Sequence, residues 1–443
     1  MFINLDESDL LAGKEMLDLA KNLYPLYRTL MGPDIRKSYK FFTNLNSEFK
    51  KISFKTDMSV FDWKIPEEWI INDAYIEHES GKRFACFSEN NLHIMGYSIS
   101  VNKEFSKEEL LPYIHVHPTD PEAIPYVTSY YKKDWAFCLS QNQFNSLPEG
   151  KYRVFIDSQH KKGELVIQEA LIEGESQREI FFSSYLCHPS LANNELSGPV
   201  LINQLMKFVK SLKKRKFSYR FVLLPETIGS ISYLSLKKDL LKKNMLCGFN
   251  LSCVGDERNY SHVSSRLGNN LADQALNSAL VELTNFKRYS FLERGSDERQ
   301  YCAPGIDLPL CTFCKSKFGE YEEYHSSKDD FNLVTKYGLA QSYKVMKTII
   351  KSLELGIYPR VKVLCEPQLG KRNLYPNTSK LYSGKHPAQL RMDIITQCDG
   401  TNNIFNIANN LNINLSKIYD ELSILYLNNL IDFDDKELEE IPV

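Results

Sequence analysis

No stretch of this 443-residue chain approaches the roughly 18 consecutive apolar residues that a membrane-spanning helix needs. The opening MFINLDESDLLAGKEML carries early acids and has no apolar core of the kind a secretory signal requires. Both absences lead to the expectation of a cytoplasmic protein. Charge of one sign is lacking too. The formal net charge is −2, so no general attraction to nucleic acid or to anionic lipid is expected. There is no internal repeat and no low-complexity tract. The cysteines form no disulfide framework. Cys86, Cys138, Cys187, Cys247, Cys253 and Cys302 fall within apolar, strand-like runs, the pattern of reduced, buried thiols.

What is present is an alternation of textures. Residues 8–31 carry apolar side chains at helical spacing. From 51 to 140 the segments are short, β-branched and aromatic, broken by Asn and Ser, which predicts a small, mainly-β domain. KYRVFIDS and GELVIQEALIEG read as a β pair. From there, continuous apolar strands (REIFFSSYLCH, YRFVLLPE, CGFNLSCVG, LPLCTFC) alternate with amphipathic helices. That pattern predicts an α/β domain, a three-layer sandwich with a mixed, mostly parallel sheet, made of residues 1–50 and 141–360. Residues 361–387 read as a linker rich in Gly, Pro, Asn and Ser. Residues 388–443, three short helices and a β wing, read as a winged-helix domain.

In open α/β sheets, sites form beyond the carboxyl ends of the strands. Three predicted strands end in polar residues there: His188 in YLCHPS, Glu226 in LLPETIG and Asp256 in LSCVGDE. A fourth cluster, GEYEEYHSSKDD, supplies His325. Imidazoles and carboxylates on separate loops are the donors that zinc or another divalent ion takes, and a carboxylate beside a metal-bound water can serve as general base.

The runs CHPSLANNELSG, LPETIGSISYL, NLSCVGD, RGSDERQYCAPGIDLP and SKFGEYEEYHSSKDDFNLV resemble the zinc aminopeptidase superfamily, which includes leucyl aminopeptidases and glutaminyl cyclases. Together with VFDWKIPEEWIINDAYI, HIMGYSISVNK and AIPYVTSYYKKDWAFC, they resemble more closely the aminopeptidase-like proteins of bacterial polysaccharide-biosynthesis loci. The resemblance spans nearly the whole chain. It implies that His188 and His325 are metal ligands and that Glu226 is the general base. It also exposes three departures: Asn194, Thr227 and Ser252 stand where the superfamily has carboxylates. The expectation is therefore one divalent ion, zinc by analogy, held by His188 and His325. Glu195, Asp256 and Asn194 are its further candidate ligands. Arg299, Asp297, Tyr324 and Thr227 are expected to line the substrate pocket.

Other readings are plainer. His115 and His117 in YIHVHPTD are expected at a half-exposed turn, and Cys311 and Cys314 in the core. Residues 388–443 hold three basic residues (Arg391, Lys417 and Lys436) against ten acidic ones, too few cations for phosphate contacts, so protein–protein contact, self-association included, is expected of this module instead of DNA binding. The expected activity is metal-dependent hydrolysis of a small peptide or amide. Its competitor is a catalytically silent scaffold with a peptidase fold. A glutaminyl-cyclase-like acyl transfer is a third reading, weakened because those relatives use carboxylates where Asn194 and Thr227 stand.

Overall fold

The computed structural model describes residues 3–375 and 387–434. The principal elements run in chain order. Helices α1 (Glu7–Leu23) and α2 (Pro33–Leu45) precede strand β1 (Lys50–Lys55). Then come β2 (Glu68–His78), β3 (Arg83–Phe84), β4 (Val101–Ser106) and β5 (Lys151–Lys161). The α/β part continues with β6 (Glu164–Ile172), β7 (Glu179–Tyr185), α3 (Ser197–Ser211), β8 (Ser218–Leu224), α4 (Ile228–Asn244) and β9 (Met245–Leu251). It ends with β10 (Tyr260–Val263), α5 (Leu271–Leu280), β11 (Phe286–Tyr289), β12 (Leu310–Cys314) and α6 (Lys336–Leu355). Last are β13 (Pro359–Val361), α7 (Pro387–Gln397), α8 (Ile404–Leu411), α9 (Leu415–Leu427) and β14 (Ile431–Phe433).

The main sheet has eight strands in the order β1-β6-β8-β7-β9-β12-β10-β11. Its central strands β8, β7, β9 and β12 run parallel. Every residue of these four strands is buried, as expected where helices cover a parallel sheet. Phe182 pairs in register with Phe221 on one side and Phe249 on the other. The carboxyl ends of β7, β8 and β9 are thereby level, and the loops carrying His188, Glu226 and Ser252 open at one edge.

The small sheet, β3-β2-β5-β4, is wholly antiparallel and corrects one pairing. The expected pair of KYRVFIDS with GELVIQEALIEG does not form. Ile156 of β5 sits opposite Ala74 of β2 and Val101 of β4, while β6 pairs with β1 and β8. Hydrophobic pattern explains the separation. In β5 the buried Tyr152, Val154 and Ile156 alternate with more exposed residues, as suits a one-sided sheet, whereas β6 buries consecutive Leu165, Val166 and Ile167. The inserted sheet thus extends to Lys161 and not only to residue 140, and β1 belongs to the main sheet. The insertion leaves and returns at a neck where the Thr56 N–H donates to the Gly163 carbonyl and the Gly163 N–H to Thr56 Oγ1, each at 3.0 Å.

The C-terminal module also begins earlier than expected. Its wing strand β14 pairs antiparallel with β13, which precedes the segment read as a linker. Residues 376–386 of that linker, and 435–443 of the module, lie outside the described residues. Helices α8 and α9 dock on α5 through asparagines. Asn403 Nδ2 donates to Gln274 Oε1 (2.7 Å), Asn277 Nδ2 to Asn409 Oδ1 (2.9 Å) and Asn414 Nδ2 to the Ala279 carbonyl (2.8 Å). All ten cysteines are unpaired. Among the described residues, no helix is long and apolar enough to cross a membrane.

Helix α1 packs along α6, and Gly13 allows the approach. A Cβ at Gly13 would collide with the backbone carbonyl of Lys336 and come within 2.9 Å of the Ala340 Cβ. Backbone cannot step aside as a side-chain tip can, so Gly13→Ala is expected to cost about 1–3 kcal/mol, the range for overpacking. Urea unfolding checks it through a lower midpoint at unchanged slope.

Candidate metal centre at the strand ends

His188 lies three residues beyond β7 and is almost fully buried. Its two nitrogens have different surroundings. Nδ1 is 2.9 Å from Glu195 Oε2. Nε2 faces Glu226 Oε2 at 3.8 Å. A carboxylate that only accepts makes Nδ1 the donor toward Glu195; against burial, Cys187 and Glu195 raise the His188 pKa well above its usual value, so the ring also carries a proton on Nε2, the position that a metal ion would take in its place. Cys187 Sγ, His188 Nδ1 and Glu195 form a compact group within 4.8 Å, but it lies on this inner edge, where Glu195 also meets Arg28. Glu195, expected as a ligand, is therefore a support for His188.

The loop after His188 turns through a π-helical segment, Ala192–Leu196. Asp329 makes that turn. It accepts the backbone N–H groups of Asn193 and Asn194, the latter at 2.9 Å, and the Tyr321 hydroxyl at 3.0 Å. Such bulges concentrate at functional sites. Here the turn presents Asn194, whose Nδ2 donates to the Tyr185 hydroxyl (2.9 Å). The Asn194 Oδ1 is buried and has no hydrogen-bond partner. Ser252 at the end of β9 bonds the same Tyr185 hydroxyl (2.7 Å), and Cys253 lies 3.4 Å from the Ser252 hydroxyl.

His325 sits across from His188, with ring centroids 5.6 Å apart. Its ring stacks on Tyr324 at 3.9 Å, and its backbone is left-handed (φ 54°). Burial, reinforced by His188, drops its pKa to about 3, so the imidazole is neutral and free to donate a lone pair. Tyr126, from the inserted domain, meets both imidazoles edge-on at 5.2 Å.

Glu226 follows β8 and is 22% exposed, enough to meet a substrate. Burial raises its pKa, against the pull of His188 and Arg299. The next residue, Thr227, holds φ 63°, a costly conformation for a β-branched side chain. Its surroundings enforce it. The Thr227 N–H donates to Asp297 Oδ1 (2.8 Å), and Arg299 Nη2 donates to Thr227 Oγ1 (2.8 Å). Asp297 is fully buried, and burial followed by the nearby Glu226 carboxylate lifts it to about 7. Its Oδ2 has no hydrogen-bond partner. Thr227 is thus held between Asp297 and Arg299 beside Glu226, while Tyr324 lies against His325.

Asp256 does not join them. Its carboxylate accepts from the Arg258 and Ser316 N–H groups, the Ser316 hydroxyl (each 2.9 Å) and Asn193 Nδ2 (3.2 Å). Its lone pairs are spent on loop bracing, which corrects its expected role as ligand. His115 and His117 stay away from the centre, with His117 Nδ1 accepting the Asp120 N–H of its own turn at 3.0 Å. Asp329 and Tyr126 are the participants whose roles spacing did not reveal. Asp329 at least follows His325 in the HSSKD run, whereas nothing local marks Tyr126.

His188 Nε2, the His325 ring and the buried, unpartnered Asn194 Oδ1 are groups of the kind a divalent ion takes. Thr227 is bonded to a guanidinium and Ser252 to a phenol, so neither brings an anionic ligand.

This architecture is the aminopeptidase-like, zinc-peptidase fold carrying a C-terminal winged helix. Residues 17–356 match the family described as a domain of unknown function (DUF4910), and 356–433 match a winged helix-turn-helix model. The chain belongs to the DUF4910 family. It is 38% identical, over 89% of its length and 91% of the relative's, to a Clostridium acetobutylicum protein named for polysaccharide biosynthesis with an aminopeptidase-like domain. A crystal structure from the same organism, described as a peptidase, superposes with TM-score 0.87 at 35% identity, covering 97% of this chain and 98% of that one. A zinc aminopeptidase from Bacillus subtilis shares the fold at TM-score 0.57 and 11% identity, over 79% of this chain and 96% of that one.

Asp256→Asn sets an amide N–H₂ against backbone donors. It is expected to cost about 1–3 kcal/mol, the desolvation penalty of an unmade bond. Denaturation and elemental analysis run together check the assignment: stability falls and metal content does not change.

Proposed function

We propose that this chain is a single-metal hydrolase of an amide or peptide bond in a small substrate. One observation carries the reading: a tethered imidazole, His188, directs Nε2 at Glu226, with the neutral His325 ring 5.6 Å from the His188 ring and the Asn194 amide oxygen buried without a partner. A bound divalent ion, zinc by analogy with relatives of this fold, would be held by His188, His325 and Asn194 and would supply Lewis acidity. The remaining work falls to the chain's own groups. Glu226, partly exposed, takes the proton from the attacking water and returns it to the leaving amine. Arg299 and Thr227 orient polar groups of the substrate, and Asp297 stands behind them as an acceptor. Tyr126 and Tyr324 narrow the mouth. The name of the Clostridium relative supports, by analogy, an amide-bearing intermediate of surface polysaccharide synthesis as substrate. The three lost carboxylates favour the silent scaffold as the second reading.

Metal analysis separates the two. Purified without chelator, the chain is expected to hold about one divalent ion, lost in His188→Ala and in His325→Ala. Glu226→Gln keeps the ion but lowers amide hydrolysis by roughly 10²–10⁴-fold, the share of general acid–base catalysis. A wild-type chain that stays metal-free after incubation with zinc, manganese and cobalt leaves the scaffold.

The winged helix we read as an internal brace. The first residues of such a module's last helix ordinarily read base edges. Here the Asn414 N–H donates to Glu282 Oε2 (2.9 Å) and Lys417 pairs with the same carboxylate (3.2 Å). Arg391, the other cation of residues 388–434, pairs with Glu421 at 2.8 Å, and Arg360 and Lys362 of the β13 segment lie 3.5 Å from Asp434 and 3.7 Å from Asp432. Fluorescence anisotropy with random-sequence duplex DNA is expected to show no salt-dependent binding. Affinity falling steeply with salt would mean phosphate contacts and would reverse this reading.

A further inference from the structure

We propose that Arg28 is a positioning residue for the metal centre, acting on His188 through Glu195. The guanidinium comes from the connection between α1 and α2 and is fully buried. Its Nη1 donates to the Leu23 carbonyl at 2.5 Å, fixing it to the end of α1. Its Nε lies 3.3 Å from Glu195 Oε1, and neither side chain has any exposure. The other Glu195 oxygen takes the His188 Nδ1 hydrogen at 2.9 Å. The two carboxylate oxygens are thus divided between a fixed cation and the imidazole, which sets the plane of the carboxylate and through it the direction of Nε2. The same connection is fastened to the His188 loop a second time. The Ser190 hydroxyl donates to the Tyr24 carbonyl at 3.1 Å, and Asn91 Nδ2 donates to that hydroxyl at 2.8 Å. Nothing else within reach could take the place of Arg28 from solvent, because the Glu195 carboxylate has no path to water. The position of an N-terminal residue therefore decides which way a ligand 160 residues later points.

The inference rests on reading His188 as a ligand, and its test keeps the two apart. Zinc affinity of the full chain is measured by competition with a chromophoric chelator for wild type, Arg28→Lys, Arg28→Met, Glu195→Gln and the double variant. Arg28→Met is expected to weaken zinc binding by about 10–100-fold, as loss of an outer-shell partner does, and Arg28→Lys to recover most of it. The double variant removes both halves of the buried pair, so its folding does not depend on an unpaired charge. It is expected to bind zinc as Glu195→Gln does, because Arg28 acts only through Glu195. In the metal-free chain, a hydrogen-bonded Nδ1–H resonance of His188 is expected in wild type and Arg28→Lys and is lost in Arg28→Met. Wild-type affinity together with an intact resonance in Arg28→Met overturns the proposal. So does a further ten-fold loss when Arg28→Met is added to Glu195→Gln. A wild-type chain that binds no zinc would sink the metal reading alone, and the resonance comparison would still decide the role of Arg28.

Discussion

A carboxylate with no route to water organises the strand ends. Glu195 stands in the π-helical turn with its side chain wholly enclosed, and a lone buried carboxylate costs several kcal/mol even after relaxation. Two groups offset that cost from opposite sides. Arg28 brings the segment after α1 down onto the sheet, and His188 gives up the rotational freedom of its ring. A second buried carboxylate, Asp329, holds the turn itself by capturing two consecutive backbone N–H groups. Burial lifts the Asp329 pKa to about 6, and those N–H donors, pulling it down, are what keep it from rising further. Packing, local backbone and site geometry are therefore one problem in this molecule: remove the charge at Glu195 and the reason for the turn, the helix connection and the imidazole orientation weakens at once.

The neutral residues around Tyr185 follow from the same electrostatics. A two-ion centre tolerates clustered carboxylates because the ions neutralise them. In this chain Asn194, Ser252, Tyr185, Cys253 and Tyr321 form a chain of neutral donors and acceptors that reaches Asp329. It fills the space with hydrogen bonds that stand without metal. On the far side Arg299 places a positive charge against Thr227, which disfavours a second cation there. Beside these neutral groups stand the two imidazoles and Glu226.

The parallel core was legible because each central strand is a continuous apolar run ending in a polar residue, and those ends are where His188 and Glu226 sit. The grouping of Arg299, Asp297 and Thr227 followed from motif resemblance. Three things were not legible. The pairing of β5 is one, because adjacency in sequence favours a hairpin with β6 even though the alternation in β5 argues for a one-sided sheet. Glu195 and Asp256 read as ligands because residue type does not show where lone pairs are spent; one is used by Arg28 and the His188 Nδ1 hydrogen, the other by Ser316, Arg258 and Asn193. Arg28 carries no local signal at all, since its partner lies 167 residues away.

Long-range dependence of this kind extends to the insertion. The Tyr126 N–H donates to the His325 carbonyl at 2.8 Å, the Ser327 N–H donates to the Ile124 carbonyl at 2.8 Å, and Pro125 bridges to Ser326. These bonds hold the His325 backbone in its left-handed conformation, which is uncommon for a residue with a side chain. The insertion thus supplies part of the frame around His325, and its Tyr126 ring meets both imidazoles edge-on. The insertion and the main sheet are therefore joined twice, at the Thr56–Gly163 neck and again at 124–127, and the second junction reaches the backbone of His325 itself.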